Sequence, residues 1–320
     1  MIRKGIYNID QLFENHWHDI FGRERNISIL LYDEINRLND FKDHKIQERI
    51  LYRFKIKNVY KRTYVNRFDK FDDWLSDKIH THLGASAKPR VHELAASDGR
   101  ASVNLYNVLT SKYNDNFNLT LSDIIPYVNC LKFPGKKYYA VTDDQDNILE
   151  ITKPPYVWNM GRPESRIYFI NNLMKRVCRR KISKLIAGGN ITERTKIWLI
   201  SKDMHDIISK AKNIRIRRYD VLSPSEESYD VIRAMNILRP SYFNPEQLRI
   251  ILQHIYDALN DKGLLIVGSN KGKIKDVDAV VFVKTADGFE KYLSYNDSIS
   301  YEDEISGFRK HPVTAQLSAT

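Results

Sequence analysis

The feature that most constrains this chain is a change of rhythm at residue 84. Before it, apolar residues recur at helical spacing in "ISILLYDEINRLNDF" and "FDDWLSDKIHTHL". Then "GASAKP" (84–89) strings small residues up to a proline, the best linker signal in the sequence. Beyond it, β-rich runs alternate with helical patterns. "RVHELAA", "FNLTLSDI", "KIWLIS", "IRIRRYDV", "YDVIRAMNIL" and "GLLIVGS" read as strands. "ASVNLYNVLTSKY", "DMHDIISKAK" and "NPEQLRIILQHIYDALNDKG" read as helices between them, the last with Asn244 as N-cap, Pro245 at the first helical position and Gly263 as its stop. Strands that alternate with helices predict an α/β protein: a doubly wound, mostly parallel sheet covered on both faces.

Two stretches do not belong to that alternation. "KKYYAVTDDQDNILEIT" predicts a hairpin and "SRIYFINNLMKRVCRRKISKLI" a long basic helix stopped at Gly188-Gly189. They make the segment of about 124–195 far longer than a strand-to-strand crossover needs. "DAVVFVKTADGFEKYL" predicts a closing hairpin. The expected domains are a basic helical region at 1–84, an α/β domain at 85–306 with that insertion, and a loose tail at 307–320.

Composition limits the class. With 42% hydrophobic and 28% charged residues the chain is an ordinary globular one. No apolar run approaches the ~20 residues of a membrane span, and "MIRKGIYNIDQLF" lacks the apolar core of a secretory signal. Two cysteines, Cys130 and Cys178, are too few for a disulfide framework, so a cytoplasmic setting is expected. The net charge of +11 favours anionic company, whether nucleic acid, a phosphorylated sugar or a membrane face, and equally serves a soluble surface. His16 with His18, and His80 with His82, each lack a clear third ligand, so no metal is expected.

In open α/β sheets a ligand sits beyond the carboxyl ends of the strands, where strand order reverses. The turn Ser97-Asp98-Gly99-Arg100 after the first strand is therefore the first candidate, because a glycine lets backbone approach a ligand. Asp123 ends the next strand two dozen positions after Gly99, where an acidic residue reaches ribose hydroxyls in doubly wound folds. Asp220 ends a later strand and could meet an adenine amino group. Plainer readings stand beside these: Asp98 as a helix N-cap, Asp220 as a turn residue, Asn236 as a strand-end cap.

Taken together, these segments resemble a class I S-adenosylmethionine-dependent methyltransferase. "HELAASDGR" is similar to that family's first motif, "YDVIRAMNIL" to its fourth strand and "LNDKGLLIVGS" to its helix–turn–fifth-strand segment. The resemblance spans about Pro89 to Leu293 and implies a seven-stranded, Rossmann-like methyltransferase fold with S-adenosyl-L-methionine as cofactor. It implies that Glu93, Ser97, Asp98 and Gly99 line the methionine end, that Asp123 holds the ribose, that Asp220 and Val221 flank the adenine, and that Ala234, Met235 and Asn236 face the methyl group. In this chain Ala95, Ala96 and Ser97 stand where the family's loop carries a further glycine, and Asp203 competes with Asp123 for the ribose position.

Asn236, His92 and Tyr242 are the candidates for catalysis by their place near the expected mouth, none of them an evident base. The insertion and the N-terminal helices are expected to form a lid, with Tyr156, Trp158 and Arg162 as substrate contacts; packing is an equal reading for the two aromatics. The expected acceptor is an oxygen or nitrogen of an anionic small molecule or glycan, lipid-linked in one version, with basic helices near a membrane surface. Three alternatives stay open. They are RNA held along "YRFKIKNVYKRTYVNRF", a protein carboxylate, since "VIRAMNIL…SYF" also resembles chemotaxis-receptor methyltransferases, and a non-catalytic binding module.

Overall fold

A computed structural model gives the structure of residues 4–14, 17–18, 22–38, 41, 43–54, 66–85, 87–161, 168–270 and 276–310. His16, Arg162 and most of "YRFKIKNVYKRTYVNRF" lie outside the described residues. The chain divides into two compact units, Met1–Thr63 with Ile125–His205, and Tyr64–Ile124 with Asp206–Thr320. The division thus falls near residue 63 and not at the expected break at 84. The first long helix after it packs with the sheet that follows.

Among the described residues of the second unit, seven strands form one sheet. They are β1 (Arg90–Leu94), β2 (Asn118–Asp123), β8 (Ile214–Arg218), β9 (Tyr229–Met235), β10 (Leu259–Asn270), β11 (Val277–Lys284) and β12 (Phe289–Tyr295). The order is β12-β11-β10-β9-β1-β2-β8. From β8 to β10 every neighbour pair is parallel, and β11 and β12 close the sheet as an antiparallel meander. The five parallel strands run in the doubly wound order, third-second-first-fourth-fifth. The fold is therefore a Rossmann-like α/β sheet, as the alternation predicted.

Helices cover both faces. Helix α8 (Pro245–Ala258) buries Leu248, Ile251, Leu252 and Ile255 against Leu94, Ile232, Ala234, Leu265, Val267 and Phe282. Its start is the expected one: the Asn244 side chain accepts from Gln247 N–H, Gln247 bonds back to the Asn244 N–H, and Pro245 follows. Its end is not. The helix stops at Ala258, and Gly263 lies inside β10, at a bulge where Lys262 is left-handed (φ 59°). A Cβ at Gly263 would lie 2.8 Å from the Asn260 carbonyl oxygen, so the glycine serves the bulge and not the helix. Helix α4 (Asp69–Leu83) packs with α5 (Val103–Tyr113). His80 lies against Tyr113, and His82 bonds the Lys262 carbonyl at 2.8 Å. Of the expected loose tail, residues 307–310 are held, by α9 (Glu302–Ser306) before them and the bridge of Arg309 to Gly288, and 311–320 lie outside the described residues.

In the first unit the insertion is richer than a hairpin and a helix. Strands β3 (Tyr127–Lys132), β4 (Tyr139–Thr142), β5 (Ile148–Lys153), β6 (Tyr156–Asn159) and β7 (Glu193–Trp198) form an antiparallel sheet in the order β6-β5-β4-β3-β7. The predicted strand "KIWLIS" is β7. It pairs with β3 in this sheet, not with the Rossmann-like one. The N-terminal helices α1 (Ile9–Phe13), α2 (Leu30–Arg37) and α3 (His44–Arg53) bury Leu12, Leu31, Ile35 and Ile50 with Val128, Val141, Leu149 and Ile197 of the sheet. Helix α6 (Phe169–Ala187) packs Ile182 with Leu131, Ala140, Ile151 and Trp158. The fully buried Glu150 pins the N-terminal segment, accepting from Ser28 Oγ at 2.7 Å and from Ile29 N–H at 3.1 Å. Burial raises its pKa to about 7. Helix α7 (Lys202–Lys210) follows β7.

Candidate active site at the strand switch point

Strand order reverses between β1 and β9, and register sets which residues meet there. Leu94 pairs with Ala234, Met235 with Gly268, and the Ala96 N–H donates to the Ser122 carbonyl at 2.8 Å. The loop after β1 thus leaves the sheet beside the ends of β2 and β9.

The backbone of that loop is unusual. Ala95, Ser97 and Gly99 are all left-handed, with φ of 53°, 59° and 73°. Only glycine takes this form without steric cost. The loop therefore has the shape of a glycine-rich loop, with Ala95 and Ser97 at two of the places glycine would suit. The Ser97 N–H donates to Asp123 Oδ2 at 3.0 Å, so the carboxylate at the end of β2 is held against the loop. Asp123 and Asp203 stand in different places. Asp123 ends a strand paired in parallel with β1, whereas Asp203 lies in the first turn of α7, in the part of that helix that belongs to the first unit, 3.4 Å from His44 Nδ1.

Two expected acidic residues are directed elsewhere. Asp98 is wholly buried; its Oδ1 accepts from the Arg100 N–H at 3.1 Å and its Oδ2 lies 3.4 Å from Arg100 Nη2. It is an Asx turn and not the helix N-cap, a place taken by Gly99 before the single 3-10 turn Arg100–Ser102. Glu93 is buried beside Arg233, Oε2 to Nη1 3.2 Å, and Arg233 Nη2 reaches Asp72 Oδ1 of α4 at 2.9 Å. The guanidinium also lies over the ring of Phe68 at 4.9 Å. Two carboxylates with one cation in a dry core cannot both ionise cheaply. Burial raises Asp72 to about 8 and Glu93 to about 7, with Arg233 opposing both shifts.

The remaining candidates separate in the same way. His92 points into the core at mid-strand: it is 1% exposed, its Nε2 is 2.8 Å from Ser122 Oγ, and Tyr229 packs on its ring. Burial, then the Arg217 and Arg215 charges, lower its pKa to about 3, so it is a neutral packing residue and not a general base. Asp220 follows β8 and accepts from Leu222 N–H at 3.0 Å, the turn reading. Val221 and Ala234 are core residues on the α8 side. Met235 is buried where a Cβ on Gly268 would lie 2.6 Å from its Cε, so that glycine makes its room. Tyr242 is 61% exposed in the turn after Arg239. Of the expected substrate contacts, Trp158 is fully buried in the first unit and donates its Nε1–H to Asn171 at 3.0 Å, a core role, with Tyr156 stacked on it.

Asn236 is left-handed (φ 61°) and belongs to a cluster the sequence did not reveal. Its Oδ1 accepts the Asn270 N–H at 3.0 Å, its Nδ2 donates to Asn270 Oδ1 at 2.9 Å, and Arg239 also donates to its Oδ1. Arg67 donates to Asn270 Oδ1. Two guanidiniums therefore flank the carboxyl ends of β9 and β10. A separate polar cleft of about 320 Å³, lined by Arg90, Lys212, Arg215 and Glu227 among others, opens at the opposite, amino ends of the strands. It is not part of this site. Among the described residues no three His, Cys, Asp or Glu side chains are grouped to hold a metal, and no helix is long and apolar enough to cross a membrane.

No family model and no curated protein matches the chain. Solved structures resemble it distantly. The N-methyltransferase NodS from Bradyrhizobium japonicum WM9 in complex with S-adenosyl-L-homocysteine is 13% identical, over 69% of this chain and 72% of that one, with a TM-score of 0.32. The citrinin polyketide synthase CMeT domain is 12% identical at a TM-score of 0.34, over 65% of this chain and 36% of that one. A pericyclic reaction enzyme is 11% identical at 0.30, over 61% of this chain and 32% of that one. The chain thus spans about a third of the last two. Similarity this low identifies no activity, and the fold rests on the strand order and register given above.

Proposed function

We propose that the second unit binds S-adenosyl-L-methionine at the switch point and transfers its methyl group to an oxygen or nitrogen of an anionic small-molecule or glycan acceptor. The observation that carries this reading is the left-handed series Ala95, Ser97, Gly99 at the end of β1, with the Ser97 N–H on the Asp123 carboxylate at the end of β2. Small side chains on such a loop leave its backbone approachable, and a carboxylate has acceptor capacity beyond one bond, which suits a ribose diol. The residues present therefore fit the cofactor. The loop from Ala95 to Gly99 would hold the methionine end, Asp123 the ribose, and the Asp220-Val221 turn the adenine.

When bound, the cofactor supplies a methyl already activated by its sulfonium charge. The chain's own contribution is then alignment and exclusion of water. Arg67 and Arg239 support an anionic acceptor, since both sit where β9 and β10 end. A second reading, a binding module without catalysis, is favoured by one observation: Glu93 and Asp98 are spent on buried arginines.

Thermal unfolding with S-adenosyl-L-homocysteine tests the proposal. A ligand at 100 times its Kd stabilises the folded state by about 2.7 kcal/mol, so a saturable upward shift of several degrees is expected. No shift up to millimolar ligand would overturn it. A shift without turnover on any anionic acceptor would leave the binding module.

A further inference from the structure

Helix α6 of the first unit carries an exposed apolar stripe. Phe169, Leu173 and Val177 follow one another at four-residue spacing and are 66%, 61% and 55% exposed. At 3.6 residues per turn they lie on one face, and Arg180 and Lys184 continue that face toward the C-terminus. Arg176 and Arg179 flank it on one side and Lys181 on the other, all exposed. None of these five cations forms an ion pair among the described residues, and the nineteen-residue helix has no acidic side chain. The opposite face is accounted for, since Asn171 and Ile182 are buried and Ile182 packs in the core with Trp158.

We propose that α6 seats the protein on an anionic lipid bilayer, lying in the interface with Phe169, Leu173 and Val177 inserted and the surrounding cations on lipid phosphates. Charge argues for this occupant. A helix face with an aliphatic stripe, a fringe of arginine and lysine and no acid matches an interface that offers hydrocarbon below and negative headgroups around it. A nucleic acid's phosphates would satisfy the cations and a base could stack on Phe169, but neither gives Leu173 and Val177 anything to bury against. The proposal does not depend on the methyltransferase reading, because every residue in it belongs to the other unit.

The test is co-sedimentation of the full chain with vesicles of phosphatidylcholine alone and of phosphatidylcholine with phosphatidylglycerol. Binding to the anionic vesicles is expected, weakened about fivefold for each of Arg179→Ala and Arg180→Ala. Leu173→Asp should weaken it by about tenfold or more at unchanged melting temperature, because Leu173 is exposed. Loss of anionic-vesicle binding in both kinds of variant supports the proposal. Three results overturn it: no preference for anionic vesicles, binding that is insensitive to Leu173→Asp, or binding of an RNA oligonucleotide through Arg179 and Arg180 in a protein that ignores vesicles.

Discussion

Replacing Arg233 by methionine should destabilise the sheet unit strongly at pH 8 and much less at pH 5. The guanidinium is 1% exposed, 2.9 Å from Asp72 and 3.2 Å from Glu93, and in the wild type it is the counter-charge for two buried carboxylates. Methionine keeps most of the stem packing but removes the charge. Breaking a buried ion pair from one side costs about 3–5 kcal/mol, because the remaining charge must either stay unpaired or take up a proton. The folded-state pKa values, already raised to about 8 for Asp72 and about 7 for Glu93, would rise further without the arginine.

The direction with pH follows from linkage. A carboxyl with a raised folded pKa holds its proton in the folded state after the unfolded chain has lost it, so stability falls as pH rises from the unfolded pKa near 4 to the folded one. At pH 5 both carboxyls are largely protonated in the folded protein, and the variant should lose only packing and the contact with Phe68, about 1–2 kcal/mol. At pH 8 the full cost returns. Urea unfolding of both proteins at pH 5 and pH 8, with equal m-values required, measures the difference. A cost equal at the two pH values, or larger at pH 5, would refute the view of this cluster as two buried carboxyls sharing one cation.

His92 predicts the opposite limb. Its folded pKa is lowered to about 3, so stability is present above about 6.5 and is lost as pH falls below that value, when only the unfolded chain protonates. His92→Gln should flatten the loss of stability between pH 6.5 and 4.5, and an unchanged slope would count against it. At the loop, Ala95→Gly should be nearly neutral, because relief of left-handed strain and the entropy of glycine are both about 1 kcal/mol. Ala95→Val should cost about 2 kcal/mol or more, since a β-branched residue is worst in that conformation. Denaturation midpoints of the two variants decide this, and equal costs would mean that the loop is not held left-handed.

Local signals were the legible part of this fold. The rhythm of β1, α5, β2, β8, β9 and β10 is written in consecutive residues, and the Asn244-Pro245-Gln247 start of α8 is a short-range motif whose bonds form as expected. Long-range pairing was not legible. "YVNCLK" and "YVWN" follow prolines and are too short to announce strands, and they become β3 and β6 only through partners elsewhere in the sheet. "KIWLIS" reads as a strand, yet nothing in it tells that its partner is β3, whose Tyr127 pairs with Trp198. The site divides along the same line. That Asp123 ends the strand after Gly99 could be read by counting along the chain. That Glu93 faces Arg233, and that Arg67 and Arg239 meet Asn270 and Asn236, depends on contacts across more than a hundred residues of sequence in two of the three pairs.

The most direct test is calorimetric titration of the wild type, Asp123→Ala and Asp203→Ala with S-adenosyl-L-methionine and S-adenosyl-L-homocysteine. Saturable binding by the wild type and by Asp203→Ala is expected, with a loss of at least about tenfold in Asp123→Ala, the effect of removing a charged hydrogen-bond acceptor. Binding that survives Asp123→Ala unchanged, or that fails in Asp203→Ala, would place the cofactor elsewhere. Absence of binding by the folded wild type would contradict the central claim.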